Sequence, residues 1–291
     1  MARRCHACLT TACLPRRASP TYDLVVGGAE SLATGTHACC LFADDDERAA
    51  VVRAFLSEGL NGGERLAVYT SRGAPSVLDG LDVDIEMLQR AGQLVIGDVE
   101  ETYLPEGRFD GAACAAQFAE FAAETRRAGY PALRLYADNG GIPALLDDPY
   151  EWIAYELRIA VTIPRYQLIG LCGFHADDAA ALPTALLDAV HDRNLSSGPR
   201  PSPFHVRGTT DGTVIVSGDV EALAVDSLRH VLAAAKPILH DHRMSFGDVE
   251  FADAAGADEL HRFWTAQRAH IVDVPRPVSR VWKALGRISA N

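Results

Sequence analysis

Two periods of apolar residues run through the first two thirds of the chain. Apolar runs of five to nine residues, "ACCLF" (38–42), "RLAVYT" (65–70), "LVIGD" (94–98), "ALRLYAD" (132–138) and "YQLIGLCGF" (166–174), predict buried strands. Between them the spacing is helical. In Asp46–Leu60, residues Ala49, Val52, Phe55, Leu56 and Leu60 fall on one face, and Gly111–Ala128, Tyr150–Thr162 and Leu182–His191 predict further helices. Repeated strand–helix units predict an α/β fold with a mostly parallel sheet covered by helices on both faces.

The pattern breaks at "NLSSGPRPSPF" (Asn194–Phe204), which is rich in Ser, Gly and Pro and poor in core-forming groups. Beyond it, "FHVRG" and "TVIVSG" flank the turn "TTDG" and predict a hairpin. A helix over Val220–Ala235, a weak strand within Pro237–Asp248, a helix over Ala254–Ala269, the strand "HIVDV" and a helix over Val278–Ile288 complete a small second α/β domain. The expected organisation is a flexible Cys/Arg-rich tail (1–20), a first domain (21–193), a linker (194–203) and a second domain (204–291).

Composition narrows the function. With 291 residues, 48% of them hydrophobic, the chain can fill two cores. Its net charge is −12, and residues 21–203 hold 28 acids against 13 bases, so the folded body repels nucleic acid and anionic lipid. No apolar run reaches the roughly 18 residues that span a bilayer. Seven unevenly spaced cysteines do not form a secreted disulfide framework and predict a thiol-reduced, cytoplasmic protein.

The loop after the first strand holds Asp44, Asp45, Asp46 and Glu47, where a nucleotide-binding protein would place a glycine-rich phosphate cradle and a lysine. Four acids oppose a phosphate, so they are expected to cap the following helix and complement its dipole. His37 and Cys39 alternate onto one face of the first strand, with Cys40 on the other. Ligands of open parallel sheets sit beyond the carboxyl ends of strands, and Asp98, Tyr103, Asp138 and His175 lie there. That set lacks a nucleophile and a cofactor fingerprint, so it predicts a ligand pocket, with no catalytic residue and no cofactor assigned. Two alternatives stand beside it. One is a divergent nucleotide-binding enzyme using Asp98, Asp138 and His175. The other is a redox or metal sensor using His37, Cys39 and the N-terminal Cys5, Cys8 and Cys13, whose C-x-x-C spacing zinc can use.

In order along the chain, "THACCLF", "FLSEGLNGGERLAVYT", "DVEETYLPEGRFD", "GYPALRLYAD", "YEL" (155–157) and "LIGLCGFHADD" resemble the MEDS domain, a sensory domain of methanogens and methylotrophs. The resemblance implies a RecA/KaiC-like fold without the phosphate loop and the sensing of a small-molecule effector. His37, Asp98, Tyr103, Asp138 and Glu156 fall on its motif positions. Residues 204–287 resemble a STAS domain, the fold of anti-sigma-factor antagonists, through "VSGDVEALAVDSLRHVLAAA" and "VEFADAAGADELHRFW". Here the switch turn of that family falls on Asp253, Ala254, Ala255 and Gly256. Phosphorylated members carry a hydroxyl where Ala255 stands, so a non-phosphorylatable domain is implied. The expected partner is an anti-sigma factor or a sensor-kinase-like protein, with homodimerisation a further role for this domain. Together the two resemblances imply a signalling protein in transcription regulation that is not an enzyme.

Overall fold

The structure is a computed structural model that describes residues 27–71, 77–175, 181–196, 202–211, 213–238, 243–267 and 270–288. Residues 37–194 build a six-stranded parallel sheet in the order β3-β2-β4-β5-β1-β6. Its strands are β1 (His37–Phe42), β2 (Arg65–Thr70), β3 (Leu94–Asp98), β4 (Leu133–Asp138), β5 (Leu168–His175) and β6 (Arg193–Asn194). The expected linker therefore begins as an edge strand. β6 pairs with β1, and the Leu41 amide donates to the Ser196 hydroxyl at 2.7 Å.

The acidic loop starts α1 (Asp45–Asn61) as its chemistry requires. The Asp44 carboxylate accepts from the Glu47 amide at 2.8 Å, and Glu47 reaches back to the Ala43 amide at 2.7 Å. This reciprocal capping satisfies two otherwise orphaned donors. Asp98 caps the short α3 (Val99–Tyr103), accepting from the Glu101 amide, after α2 (Ile85–Arg90) at the sheet edge. Neither short helix is visible in the apolar spacing, because each is a single turn or slightly more.

The two faces of the sheet bury different cores. One packs Val51, Val52, Phe55 and Leu56 of α1 on Cys40, Phe42, Val68 and Tyr136. The other packs α4 (Gly111–Arg127) and α5 (Tyr150–Tyr166) on Cys39, Ala67, Leu135 and Cys172. α5 runs past its expected end at Thr162, because Pro164 lies in the last turn, and it stops at Gln167 in the left-handed region (φ 59°). The expected helix ending at His191 is shorter, as α6 (Thr184–Ala189).

A second sheet follows in the order β10-β9-β8-β7, with β7 (Phe204–Gly208) antiparallel to β8 (Val214–Val220), and β9 (Arg243–Ala252) and β10 (His270–Asp273) parallel to it. Its helices are α7 (Val225–Ala235), α8 (Ala254–Gln267) and α9 (Arg276–Ala284). β8 keeps Val220, so α7 starts five residues later than its expected start. β9 continues through Asp248 to Ala252, because Met244, Phe246, Val249 and Ala252 bury one side of it.

α5 joins the two units. It packs on the first sheet and also against β7 and α7, and the α5-side core continues without a break into Phe204, Val206, Leu228 and Val231. Gly208 permits the approach: a Cβ there would lie 1.9 Å from the Val161 side chain. Tyr150, at the start of α5, stacks on His230 of α7 with ring centroids 4.5 Å apart.

Candidate functional site

Four ligand-type side chains converge beneath the α5 face of the sheet. His37 opens β1, Cys172 lies in the middle of β5, Glu156 projects from α5, and His191 follows α6. All four are buried, and their ligand atoms lie within 4.8 Å of one another. His37 Nε2 is 3.2 Å and His191 Nε2 is 3.6 Å from Glu156 Oε2. Cys172 Sγ lies 3.4 Å from His37 Nε2 and 3.9 Å from Glu156 Oε2. The imidazoles of His37 and His191 overlap with centroids 4.1 Å apart.

Burial sets the electrostatics. It lowers His37 and His191 to about 4, the neighbouring His37 adding to the effect on His191. It raises Glu156, although His191 partly opposes this, and it pushes the Cys172 thiol well above its usual range, with the Glu156 carboxylate adding to the effect. Glu156 Oε1 and His37 Nδ1 lack a hydrogen-bond partner among the described residues, and the Trp152 indole faces the carboxylate outside strict hydrogen-bond geometry. Buried polar atoms left in this condition cost about 1–3 kcal/mol each.

An aromatic wall closes the cluster towards α4. The Tyr155 hydroxyl donates to the Tyr103 hydroxyl at 3.0 Å, and Trp152 meets Tyr103 edge-on at 5.1 Å. On the opposite side His191 borders a cleft of about 430 Å³ that is also lined by Thr34, Thr36, Asp192, His205 and Arg207. The cleft opens between the first sheet and β7, so the cluster has a neighbour that solvent reaches.

The residues singled out in the sequence separate into three places. His37, Cys39, Tyr103 and Glu156 gather on the α5 face, where Cys39 stands in register beside Cys172. Asp138 and His175 face α1 instead. Asp138 accepts from Arg48 at 2.5 Å, and His175 Nε2 lies 3.7 Å from Asp45. Asp98 stays at its own helix cap. The single crevice expected to hold Asp98, Tyr103, Asp138 and His175 is thus divided by the sheet, because alternate residues of a strand face opposite sides. Cys172 and His191 were not singled out from the sequence. Cys172 lies inside the apolar run "YQLIGLCGF", and only the β1–β5 register reveals that it neighbours Cys39. Cys5, Cys8 and Cys13 lie outside the described residues.

In the second unit Asp253 caps α8, accepting from the Gly256 amide, and also accepts from the Ala222 amide, each at 2.8 Å. Ala254 and Ala255 are exposed beside it, Gly256 is buried, and the neighbouring Leu223 is 95% exposed.

Residues 36–192, more than half of the chain, match MEDS, the MEthanogen/methylotroph, DcmR Sensory domain. The chain belongs to the MEDS family. The buried cluster lies within the matched span, while the second sheet lies outside it. No curated protein matches the sequence. Similar solved structures include a KaiC-like protein from the hyperthermophilic archaeon Pyrococcus horikoshii OT3 (13% identity, TM-score 0.37), where the match covers 49% of this chain and 64% of that one. The flagellar accessory protein FlaH from Methanocaldococcus jannaschii matches at 16% identity and a TM-score of 0.31, over 64% of this chain and 75% of that one. Among the described residues no helix is long and apolar enough to cross a membrane.

Proposed function

We propose that this MEDS protein is a non-enzymatic signalling protein of the cytoplasm. It holds a small effector at the buried cluster and its adjoining cleft, and passes the bound state to a protein partner through its second domain. The observation that carries this reading is α5: one helix bears Glu156 at the cluster and packs directly on β7 and α7. A change at Glu156 therefore meets the second domain with no flexible link between. The sensory description of the family supports the input half. The buried thiols of Cys39, Cys40, Cys114 and Cys172 suit a reducing compartment.

The output half rests on the STAS-like reading of residues 204–287. Leu223, Ala254 and Ala255 are exposed beside Asp253, which accepts from the Ala222 and Gly256 amides and so ties the two turns together. Ala255 has no hydroxyl to accept a phosphate, so docking to an anti-sigma factor or sensor-kinase-like protein answers to the effector state and not to a kinase. The acidic loop argues against nucleotide chemistry: Asp44 and Glu47 are committed to capping, and Arg48 to Asp138.

Native mass spectrometry of the full chain, purified without added ligand, tests the reading. The expected result is a species heavier than the polypeptide that loses its excess mass on denaturation, with no calorimetric heat on adding ATP and Mg²⁺. A bare polypeptide that binds and hydrolyses ATP would replace the sensor with an enzyme.

A further inference from the structure

We propose that His37, Glu156, Cys172 and His191 are the four ligands of a tetrahedral zinc site. This deepens the sensory reading by naming the bound species, but its argument is geometric. Zinc bonds of about 2.0–2.1 Å to nitrogen, 2.0–2.2 Å to oxygen and 2.3 Å to sulfur place ligand atoms about 3.3–3.6 Å apart around a tetrahedron. The four measured separations, 3.2, 3.6, 3.4 and 3.9 Å, scatter around those edges, and the two remaining ones fall within 4.8 Å. Four side chains from four separate elements are thus already spaced for one central ion.

Charge gives the second argument. Two neutral imidazoles, one carboxylate and one thiolate balance a divalent cation with no residual charge, which a dry interior requires. Loading is an exchange: the ion enters, the Cys172 thiol gives up its proton to water, and Glu156 binds as the carboxylate. The donor set selects the class of ion. Calcium and magnesium sites are built from oxygen, whereas a thiolate with imidazoles suits zinc.

The outer contacts also fit. His191 Nδ1 lies 2.6 Å from the Leu187 carbonyl, so it carries the proton and donates, which leaves the Nε2 lone pair directed at Glu156. A lone pair facing a carboxyl oxygen needs a proton or a cation between them, and a backbone carbonyl behind a ligating histidine is the usual outer shell of zinc. In the metal-free protein His37 Nε2–H can donate to Glu156. On loading, its proton moves to Nδ1, which faces the Val190 backbone and otherwise lacks a partner. The cleft beside His191 gives the ion its approach. With all four positions supplied by protein the site is closed, as structural and sensing sites are, rather than open for catalysis.

Cobalt(II) titration of the chelator-treated full chain tests the proposal. The expected spectrum has the intense visible bands of tetrahedral cobalt and a near-ultraviolet thiolate charge-transfer band, both displaced by one equivalent of zinc. Cys172→Ser should lose the charge-transfer band. Glu156→Gln should weaken binding by more than the ~10–100-fold typical of losing an outer-shell partner. A triple variant with Cys5, Cys8 and Cys13 all changed to Ser should keep both bands. Zinc should raise the melting temperature of the wild type and the triple variant, but not of Cys172→Ser, and circular dichroism of each metal-free variant verifies the fold. Loss of the bands in the triple variant with retention in Cys172→Ser would overturn the proposal, as would their absence from the wild type. In that last case an organic ligand in the native mass spectrum would leave the sensory reading standing without the metal.

Discussion

Replacing Asp138 by Asn should cost far more than replacing any acid of the 44–46 run, although the sequence advertises the run. Asp138 Oδ2 lies 2.5 Å from Arg48 Nη1, and the two side chains are only 7% and 9% exposed. Removing one member of a buried pair costs about 3–5 kcal/mol, because the remaining charge stays desolvated. Asp45 also bonds Arg48, at 2.9 Å, but it is 75% exposed and compensates weakly. The cost of Asp138→Asn is therefore set at the lower end, about 3 kcal/mol. For a unit of this size each kcal/mol moves the melting temperature by about 2–4 °C, so a fall of about 6–12 °C follows. Asp45→Asn removes an exposed i,i+3 pair worth at most about 0.5 kcal/mol and should shift melting by less than about 2 °C. The double variant Arg48→Met, Asp138→Leu should recover most of the loss, since apolar replacement of both partners leaves no buried charge. Calorimetric melts of the four proteins at one salt concentration read this directly. Equal losses for Asp45→Asn and Asp138→Asn, or a double variant no better than Asp138→Asn alone, would refute the assignment of Arg48 to a buried structural pair.

Other expectations follow from the same contacts. Asp44→Ala removes the α1 cap and should cost about 1 kcal/mol in chemical denaturation, while Asp46→Ala, which makes no cap bond, should cost a few tenths. Gly256→Ala places a Cβ 2.2 Å from the Val220 carbonyl oxygen and should destabilise the second unit by several kcal/mol, about 3 or more, whereas exposed Ala255→Ser should melt like the wild type. Burial holds the folded-state values of His37 and His191 near 4, below the 6.5 of the unfolded chain. Between those limits the unfolded state binds more protons, so stability is full above about pH 6.5 and falls as pH drops towards 4. Glu156, raised by burial, opposes this, so the fall should be clearest in metal-free Glu156→Gln followed by melts from pH 7 to 4.5. A flat profile there would contradict the neutral imidazoles.

Most of the first fold was legible because its central strands are buried on both faces and its long helices carry apolar stripes, although edge strand β3 is only partly buried. "RLAVYT", "LVIGD" and "ACCLF" lie where their composition places them. The elements that escaped were too short to show a period, namely α2, α3 and β6, or were cut by an interruption whose effect depends on context, as with Pro164 in α5. The site was only half legible. Strand alternation correctly separates Cys39 from Cys40, yet it cannot say which strands are neighbours, so the Cys39–Cys172 register was invisible. His191 sits at the end of a short helix with no local signal, and it joins the cluster only because β6 returns the chain beside β1. The strand-end residues do not share one crevice, since position along a strand does not fix the face: Asp138 and His175 turn towards α1, away from Tyr103.

Hydrogen exchange of the full chain, metal-free and with one equivalent of zinc, tests most directly the claim that the MEDS unit speaks to the second domain through α5. Slower exchange is expected at the ligands and in α5, and also in β7 and α7, with no such change in Glu156→Gln. Protection confined to the four ligands and their immediate neighbours, with β7 and α7 unmoved, would contradict it.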